Sequence, residues 1–284
     1  MSLQSGSFKK AYLEITNVCN ASCSFCPKTK RTPRMITESE FDTITDKLIG
    51  RAEYLYFHLM GEPLIHPSVN SFASVARSKG FKVMITSNGI RAKDKGISLI
   101  SEGNVNKISL SLHSFESNFF NMSLNDYIDG CIELSKACAD NHTVCALRLW
   151  NQGYKDSLNG HVIECLRQTY NGQWSEVRSG HKISEYVFIE YGEHFEWPNL
   201  NNDVAINDVL FCHGLRNQIG ILCDGTVVPC CLDSEGSIPL GNLLVDEMDA
   251  ILASKRAKAI YDGFSAHTPV EELCRTCGYA RRFS

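Results

Sequence analysis

Along the first two thirds of the chain, short runs of alternating apolar and polar residues are separated by longer stretches with helical spacing. The strand-like runs cover 11–16, 53–58, 81–86, 107–112, 143–149 and 186–191, and helices are expected near 37–49, 67–79, 93–101, 124–139 and 158–170. Thr37 followed three residues later by Glu40 forms a capping box that opens the first helix. The Lys79-Gly80 pair closes the second. Repeated strand–helix units predict an α/β fold with a parallel sheet and right-handed crossovers.

The alternation also assigns faces, because side chains along a strand point to opposite sides with period two. One face is aliphatic: Leu13 and Ile15; Leu55, Phe57 and Leu59; Val83 and Ile85; Ile108, Leu110 and Leu112; Leu147 and Leu149; Val187 and Ile189. The other carries Glu14 and Thr16; Tyr56 and His58; Met84 and Thr86; Ser109, Ser111 and His113; Arg148 and Trp150; Phe188 and Glu190. A parallel sheet covered on both sides would be apolar on both. A polar second face predicts an open or partial barrel whose interior holds a ligand.

From about residue 192 the alternation stops. Residues 192–210, with Glu193, His194, Glu196, Trp197, Pro198, Asn199, Asn201 and Asn202, read as a linker. Segments 218–223 and 226–231 flank Asp224-Gly225, a hairpin signal, and a helix is expected over about 246–262 with Gly263 as its stop. The chain thus divides into 8–195 and 196–284, and the second part holds a module of about 75 residues. Such a module is too thin to fold well without a staple, which its cysteines supply.

Cys19, Cys23 and Cys26 stand in C-x3-C-x2-C spacing directly after the first strand. Three close thiolates can hold three irons of a [4Fe–4S] cube and leave the fourth open to a small molecule. Zinc sites also draw on cysteine pairs. The same choice applies to Cys212, Cys230, Cys274 and Cys277, which have the count of a structural zinc site. Thirteen cysteines in a chain whose opening residues 1–7 lack a signal-peptide core point to metal binding in a cytoplasmic protein. No apolar run approaches the ~20 residues of a membrane span. A net charge of −4 argues against tracking a nucleic-acid polymer. Lys28, Lys30, Arg31 and Arg34 form a local exception, either a solvated loop or a phosphate or carboxylate contact at the mouth of a site.

With aromatic Phe25 before its last cysteine, the triplet resembles the radical S-adenosylmethionine (SAM) superfamily, and further segments follow in that family's order. Gly61, Glu62 and Pro63 look like its GEP-type motif, which meets the SAM amino group. Ser87 and Asn88, within Thr86 to Gly89, look like the polar turn near SAM's ribose and methionine. Ser111 falls where related enzymes contact SAM, and Arg148 is placed to pair with the SAM carboxylate. The resemblance covers about residues 10–190 and implies a partial (β/α)6 barrel. It implies that Cys19, Cys23 and Cys26 hold a [4Fe–4S] cluster with an open iron. One electron, drawn from a donor such as flavodoxin or ferredoxin, would cleave SAM to a 5′-deoxyadenosyl radical that takes a hydrogen from the substrate.

The C-terminal cysteines are similar to the auxiliary-cluster modules called SPASM and twitch. That resemblance implies one auxiliary [4Fe–4S] cluster on Cys212, Cys230, Cys274 and Cys277, with Cys223 and Cys231 as substitutes. Cys131, Cys138, Cys145 and Cys165 read as small buried hydrophobes. Segments around 57–64, 147–151, 227–235 and 277–282 resemble a clostridial-type twitch subgroup associated with queuosine lyase. This implies a small-molecule substrate, queuosine or its 5′-phosphate, cleaved to release queuine. Tyr56, Trp150 or Phe188 would then stack on the deazapurine. Glu14, Glu190, His58 or His113 would meet its amino groups or diol. The alternatives are oxidation of an aminocyclitol alcohol and modification of peptide side chains. Peptides rank lower because the first strand starts by about residue 10, whereas peptide-binding relatives usually carry an additional N-terminal module. A two-cluster electron carrier or metal-stapled binding protein would need none of the GEP or Thr86–Gly89 residues.

Overall fold

Six parallel strands in the order β1 (Phe8–Leu13), β2 (Ala52–Tyr56), β3 (Lys82–Ser87), β4 (Lys107–Ser111), β5 (Val144–Gln152) and β8 (Val187–Glu193) form the centre of the computed structural model. It describes residues 7–118, 121–200 and 211–283. The readings made for residues 1–6 and for the Asn201 and Asn202 part of the linker lie outside them. Helices α1 (Glu38–Leu48), α2 (Val69–Ser78), α3 (Ile97–Ser101), α4 (Leu124–Asp140) and α5 (Asn159–Thr169) make the crossovers. The fold is the α/β parallel sheet of a radical SAM-type barrel.

The register preserves the two faces. Ala11 pairs with Leu55, Leu55 with Val83, Ile85 with Ile108, and Leu110 with Leu147, all aliphatic. These residues pack on the helices, where Phe41 of α1 stacks on Phe72 of α2 at 4.2 Å. Tyr12 pairs with Tyr56, Thr86 with Ser109, Ser111 with Arg148, and Arg148 with Glu190, so the polar positions fall together on the other face. Leu59 is an exception. It lies beyond the end of β2 and packs with Tyr12, Leu222 and Val228 rather than on the helices. The capping box is present: the Thr37 hydroxyl accepts from the Glu40 N–H at 3.3 Å, and the Glu40 carboxylate accepts from the Thr37 N–H at 2.9 Å.

The C-terminal part does not stand apart as a separately stapled module. Strand β9 (Gln218–Ile221) pairs in parallel with β1, Lys10 beside Gln218 and Leu13 beside Ile221. Hairpin partner β10 (Thr226–Val228) and short β11 (Gly241–Asn242) extend the same sheet. Ile219, Ile221, Val227 and Phe264 belong to the same buried cluster as Leu13 and Leu55. An apolar strand on the free edge of β1 thus anchors the module along with its cysteines. The helix expected over 246–262 is two helices, α6 (Met248–Ala253) and α7 (Lys255–Ser265), because the Ser254 hydroxyl caps α7 by accepting from the Ala257 N–H at 3.2 Å. Gly263 does not stop α7, which runs two residues further. α8 (Glu272–Arg275) carries Cys274.

At the opposite edge, β6 (Ser175–Val177) and β7 (Gly180–Ser184) add an antiparallel ribbon to β8 that the hydrophobic pattern did not reveal. All three β6 residues are exposed, so no alternation marks it. Among the described residues no helix is long and apolar enough to cross a membrane.

Candidate functional site

The loop between β1 and α1 carries Cys19, Cys23 and Cys26. An isolated antiparallel bridge between Thr16 and Met35 closes its base. Asn17 reinforces it, donating to the Thr32 carbonyl at 2.9 Å and accepting from the Arg34 N–H at 2.7 Å. The turn after β4 pins its tip. There Ser24 N–H donates to the Ser117 carbonyl at 3.1 Å, and Ser22 N–H to Asn118 Oδ1 at 2.6 Å.

Each of the three sulfurs receives N–H groups. Asn118 Nδ2 donates to Cys23 Sγ at 3.0 Å, and Asn88 Nδ2 reaches Cys19 Sγ at 3.7 Å. The backbone N–H of Ala21 lies 3.4 Å from Cys19 Sγ, and that of Lys28 lies 3.4 Å from Cys26 Sγ. Burial pushes all three thiols up, so the polypeptide alone favours them protonated. Donors aimed at sulfurs that need a cation to ionise fit thiolate ligands of an iron cluster.

Gly61 has φ of +75°, and a Cβ there would collide with the Thr16 carbonyl, so only glycine lets the chain approach the entrance of the cysteine loop. Glu62 follows, 2% exposed, with its N–H on the Val18 carbonyl at 2.9 Å. Its carboxylate accepts from the Asn88 N–H at 2.7 Å and the Leu64 N–H at 3.0 Å. Pro63 opens the short 3₁₀ turn that Glu62 caps. Burial pushes Glu62 up to about 7 against these donors. Among the described residues it has no ion pair. Asn88 Nδ2 also donates to Asn20 Oδ1 at 2.8 Å, and the Ser87 hydroxyl accepts from the Gly89 N–H at 3.0 Å. GEP tripeptide, polar turn and cysteine loop therefore form one hydrogen-bonded unit beyond the C-terminal ends of β1, β2 and β3.

A second set of sulfurs meets at the other side of β1. Cys212, Cys230, Cys274 and Cys277 line one cavity, with Gln218, Asp233 and Tyr279 in its wall. Burial pushes Cys212, Cys230 and Cys274 up, so this site also needs a cation to hold thiolates. Among the described residues no three His, Cys, Asp or Glu groups close on a single-ion site, and these sulfurs ring a cavity instead. Cys231 is not in that lining and packs against the cluster of Tyr12, Leu59, Leu222 and Val228. Cys223 lies by Arg31, its Sγ 3.8 Å from Nη1. All thirteen cysteines are free of disulfides. Cys131, Cys138 and Cys145 are buried as expected, whereas Cys165 is only partly covered, at the surface of α5.

Comparison with known protein families matches two stretches of the chain. The radical SAM superfamily profile matches residues 13–144, and the SPASM iron–sulfur cluster-binding domain matches residues 212–278. The chain carries a radical SAM domain followed by a SPASM domain. Its two domains imply a [4Fe–4S] cluster with SAM at the first site and an auxiliary iron–sulfur cluster at the second. The sporulation killing factor maturation protein SkfB of Bacillus subtilis is 22% identical over 260 residues, covering 83% of this chain and 62% of SkfB. The chain thus spans about six tenths of that relative's length. BtrN, solved with AdoMet and 2-DOIA, superposes with a TM-score of 0.60 at 16% identity over 95% of this chain and 92% of BtrN. anSMEcpe, solved with AdoMet and the Cp18Cys peptide, superposes at 0.60 and 10% identity over 96% and 86% of the two chains. These last two show likeness of fold.

The remaining polar-face residues are partly committed to one another. Glu14, fully buried, does not face the lumen as a free carboxylate. Arg31 Nη1 and Nη2 meet its two oxygens at 2.9 and 2.6 Å, and the Met60 and Cys223 N–H groups add bonds at 3.2 and 3.1 Å. Arg31 Nε also reaches the Ser234 carbonyl at 2.9 Å, and Lys30 N–H the Glu235 carboxylate at 3.1 Å. Arg34 pairs with Glu40. Two of the four basic loop residues are thereby tied inside the protein. Glu190 accepts from Lys107 Nζ at 2.7 Å and Arg148 Nε at 3.1 Å. Burial works to raise this carboxyl, and the two cations outweigh it and hold it below its usual value. Arg148 also stacks on Trp150, 4.5 Å from the ring centroid. His113 Nδ1 donates to the Arg148 carbonyl at 3.1 Å, and its ring packs on Phe25 at 4.9 Å. Tyr56 stacks on Tyr12 at 4.6 Å, with His58 edge-on to both at 5.7 Å. Among the described residues, His58 Nδ1 and Trp150 Nε1 are buried without a hydrogen-bond partner. Burial and the charge of Arg148 pull His58 down to about 3, so it stays neutral. Asn118 and Tyr12 are contacts that the sequence pattern did not single out.

Proposed function

We propose that this radical SAM protein cleaves SAM reductively and takes a hydrogen atom from a small, ring-bearing substrate held against the polar face of the barrel. The observation that carries the reading is Glu62: a buried carboxylate with two N–H donors and, among the described residues, no cation, linked through Asn88 to Cys19. Its vacant acceptor capacity suits the ammonium of a SAM molecule placed beside the cysteine loop. Bound cluster and SAM would supply the electron and the carbon radical; the chain's own residues bind, orient and exclude water. Asn88, Ser87 and Ser111 offer polar contacts to SAM, and Arg148 offers a guanidinium to its carboxylate.

The favoured substrate is queuosine or its 5′-phosphate, with cleavage of the glycosidic bond to free queuine. Supporting this are the aromatic wall of Tyr12, Tyr56 and Trp150 and the two unpartnered ring nitrogens of His58 and Trp150, which suit a flat, polar heterocycle. Glu190, His58, His113 and Trp150 remain the candidate contacts, while Glu14 is satisfied by Arg31. A second reading, oxidation of an aminocyclitol-type alcohol, draws on the superposition with 92% of BtrN. Peptide side-chain modification is the third, given the SkfB and anSMEcpe likenesses.

The anaerobically reconstituted protein should be incubated with SAM, a low-potential reductant, and queuosine or its 5′-phosphate, and assayed by mass spectrometry. SAM-dependent release of queuine is the expected result. If 5′-deoxyadenosine forms slowly and independently of queuosine, the substrate assignment falls, and aminocyclitols and peptides are the next to try.

A further inference from the structure

We infer that Tyr127 and Ser114 are positioning residues for the first site: their hydroxyls fix the Asn88 carbonyl, and through Asn88 they aim one donor at Glu62 and another at Cys19. The inference rests on the proposed reading of Glu62 as the acceptor of the SAM ammonium. Asn88 is the residue in which the two halves of the site meet. Its N–H donates to Glu62 at 2.7 Å, and its side-chain amide donates to Asn20 Oδ1 at 2.8 Å and reaches Cys19 Sγ at 3.7 Å.

No strand ladder holds this residue. The pairing of β3 with β4 ends at Ser87 beside Leu110, one position earlier. A buried carbonyl beyond the ladder needs other donors. Two hydroxyls supply them: Tyr127 donates to the Asn88 carbonyl at 2.7 Å, and Ser114 at 3.0 Å. A residue has only two soft backbone dihedrals, so fixing its carbonyl restricts where its N–H and side chain point. Gly89 follows with φ of +82°, and a Cβ there would lie 2.8 Å from the Tyr127 hydroxyl and 2.9 Å from Cys131 Sγ. The polar turn is thus seated directly on the Tyr127 side chain.

The elements that carry the two hydroxyls are themselves fixed. Tyr127 is 2% exposed in the first turn of α4, which Ser123 caps by accepting from the Asp126 N–H at 3.1 Å. Ser114 closes the short 3₁₀ turn Leu112–Ser114 that follows β4. Its carbonyl accepts from Asn118 Nδ2 at 2.6 Å, the same amide that donates to Cys23 Sγ. The Tyr127 and Ser114 oxygens are 3.4 Å apart, so this pair stands behind both the Cys19 and the Cys23 contacts. A phenylalanine ring would fill the space of Tyr127 equally well; the hydroxyl is the part that reaches the turn.

The test uses the reconstituted holoenzyme and compares wild type with Tyr127→Phe, Ser114→Ala and a control, Ser135→Ala. The control removes a buried contact of 2.6 Å between the same helix and the Tyr170 hydroxyl, away from the turn. SAM affinity is read by calorimetry, and the first cluster's midpoint by redox titration followed by electron paramagnetic resonance. Tyr127→Phe should weaken SAM binding about fivefold, the factor of one ordinary hydrogen bond. It should also move the first midpoint to more negative potential, because the donor on Cys19 is no longer held in place. Ser114→Ala should move both readouts in the same direction, while the auxiliary midpoint and the Ser135→Ala protein stay at wild-type values. Either readout unchanged in folded, fully loaded Tyr127→Phe overturns the inference, since one carbonyl is held to govern both. Equal loosening by Ser135→Ala overturns it too, by making the effect one of helix packing. A fully loaded wild type that binds no SAM overturns the proposed function, and this inference with it.

Discussion

Asn118 holds the Cys23 sulfur and the Ser22 N–H with the two ends of one side-chain amide, at 3.0 and 2.6 Å. The turn that follows β4 thereby reaches back to the tip of the cysteine loop. A hydrogen bond to a ligating sulfur stabilises the more negative, reduced state and so raises the potential. Asn118→Leu should shift the first cluster to a more negative midpoint and lower its iron occupancy, leaving the auxiliary cluster unchanged. Redox titration of both clusters checks this, and an unaltered first midpoint at full loading would remove Asn118 from the site.

On the proposed reading, Glu62 should make SAM binding pH-dependent. Its carboxyl, raised to about 7, is largely protonated at pH 6 and largely ionised at pH 8. The SAM ammonium favours the ionised form, so affinity should rise with pH by up to about tenfold per unit below 7. In the SAM-free protein the sign is the opposite: a raised carboxyl contributes stability below its unfolded value near 4.5 that is lost as pH climbs through about 7. Calorimetric titration of the reconstituted protein from pH 5.5 to 8.5 measures the first effect. Glu62→Gln should bind weakly with a flat profile.

The Glu14–Arg31 pair ties the cysteine loop to the C-terminal module. Arg31 meets Glu14 through two bonds and the Ser234 carbonyl through a third, with Glu14 wholly buried and the Arg31 side chain 15% exposed. Removing the cation alone leaves a buried carboxylate without its counter-charge, a loss of about 3 kcal/mol. Arg31→Met should lower the denaturation midpoint accordingly, and Glu14→Leu combined with Arg31→Met should recover much of it. If single and double variants were equally stable, the pair would not be coupled.

The C-terminal cysteines should act as a staple on top of the shared sheet. With Cys274 and Cys277 both changed to Ala, hydrogen exchange should rise across 211–283 well before it rises in β2–β5. Equal protection in the two forms would show that the β9–β1 pairing suffices alone.

Much of this was legible because period-two alternation is local: the six barrel strands and their two faces follow from consecutive residues. The ribbon β6–β7 was not legible, since an exposed two-stranded edge carries no apolar alternation. Glu14 was correctly placed on the polar face, yet its partner sits 17 residues away in a loop whose path no pattern specifies. Asn118 is 95 residues from Cys23, and only the parallel order β1–β2–β3–β4 brings them together. The four C-terminal cysteines were readable from spacing, but that Cys231 packs against the Tyr12 cluster rather than lining the cavity required the register of the hairpin.

The most direct test is to change Cys19, Cys23 and Cys26 together to Ala and measure iron content and 5′-deoxyadenosine formation from SAM under reduction. The account predicts a protein that keeps about four irons, on the auxiliary site, and forms no 5′-deoxyadenosine. SAM cleavage at the wild-type rate by that variant would contradict it.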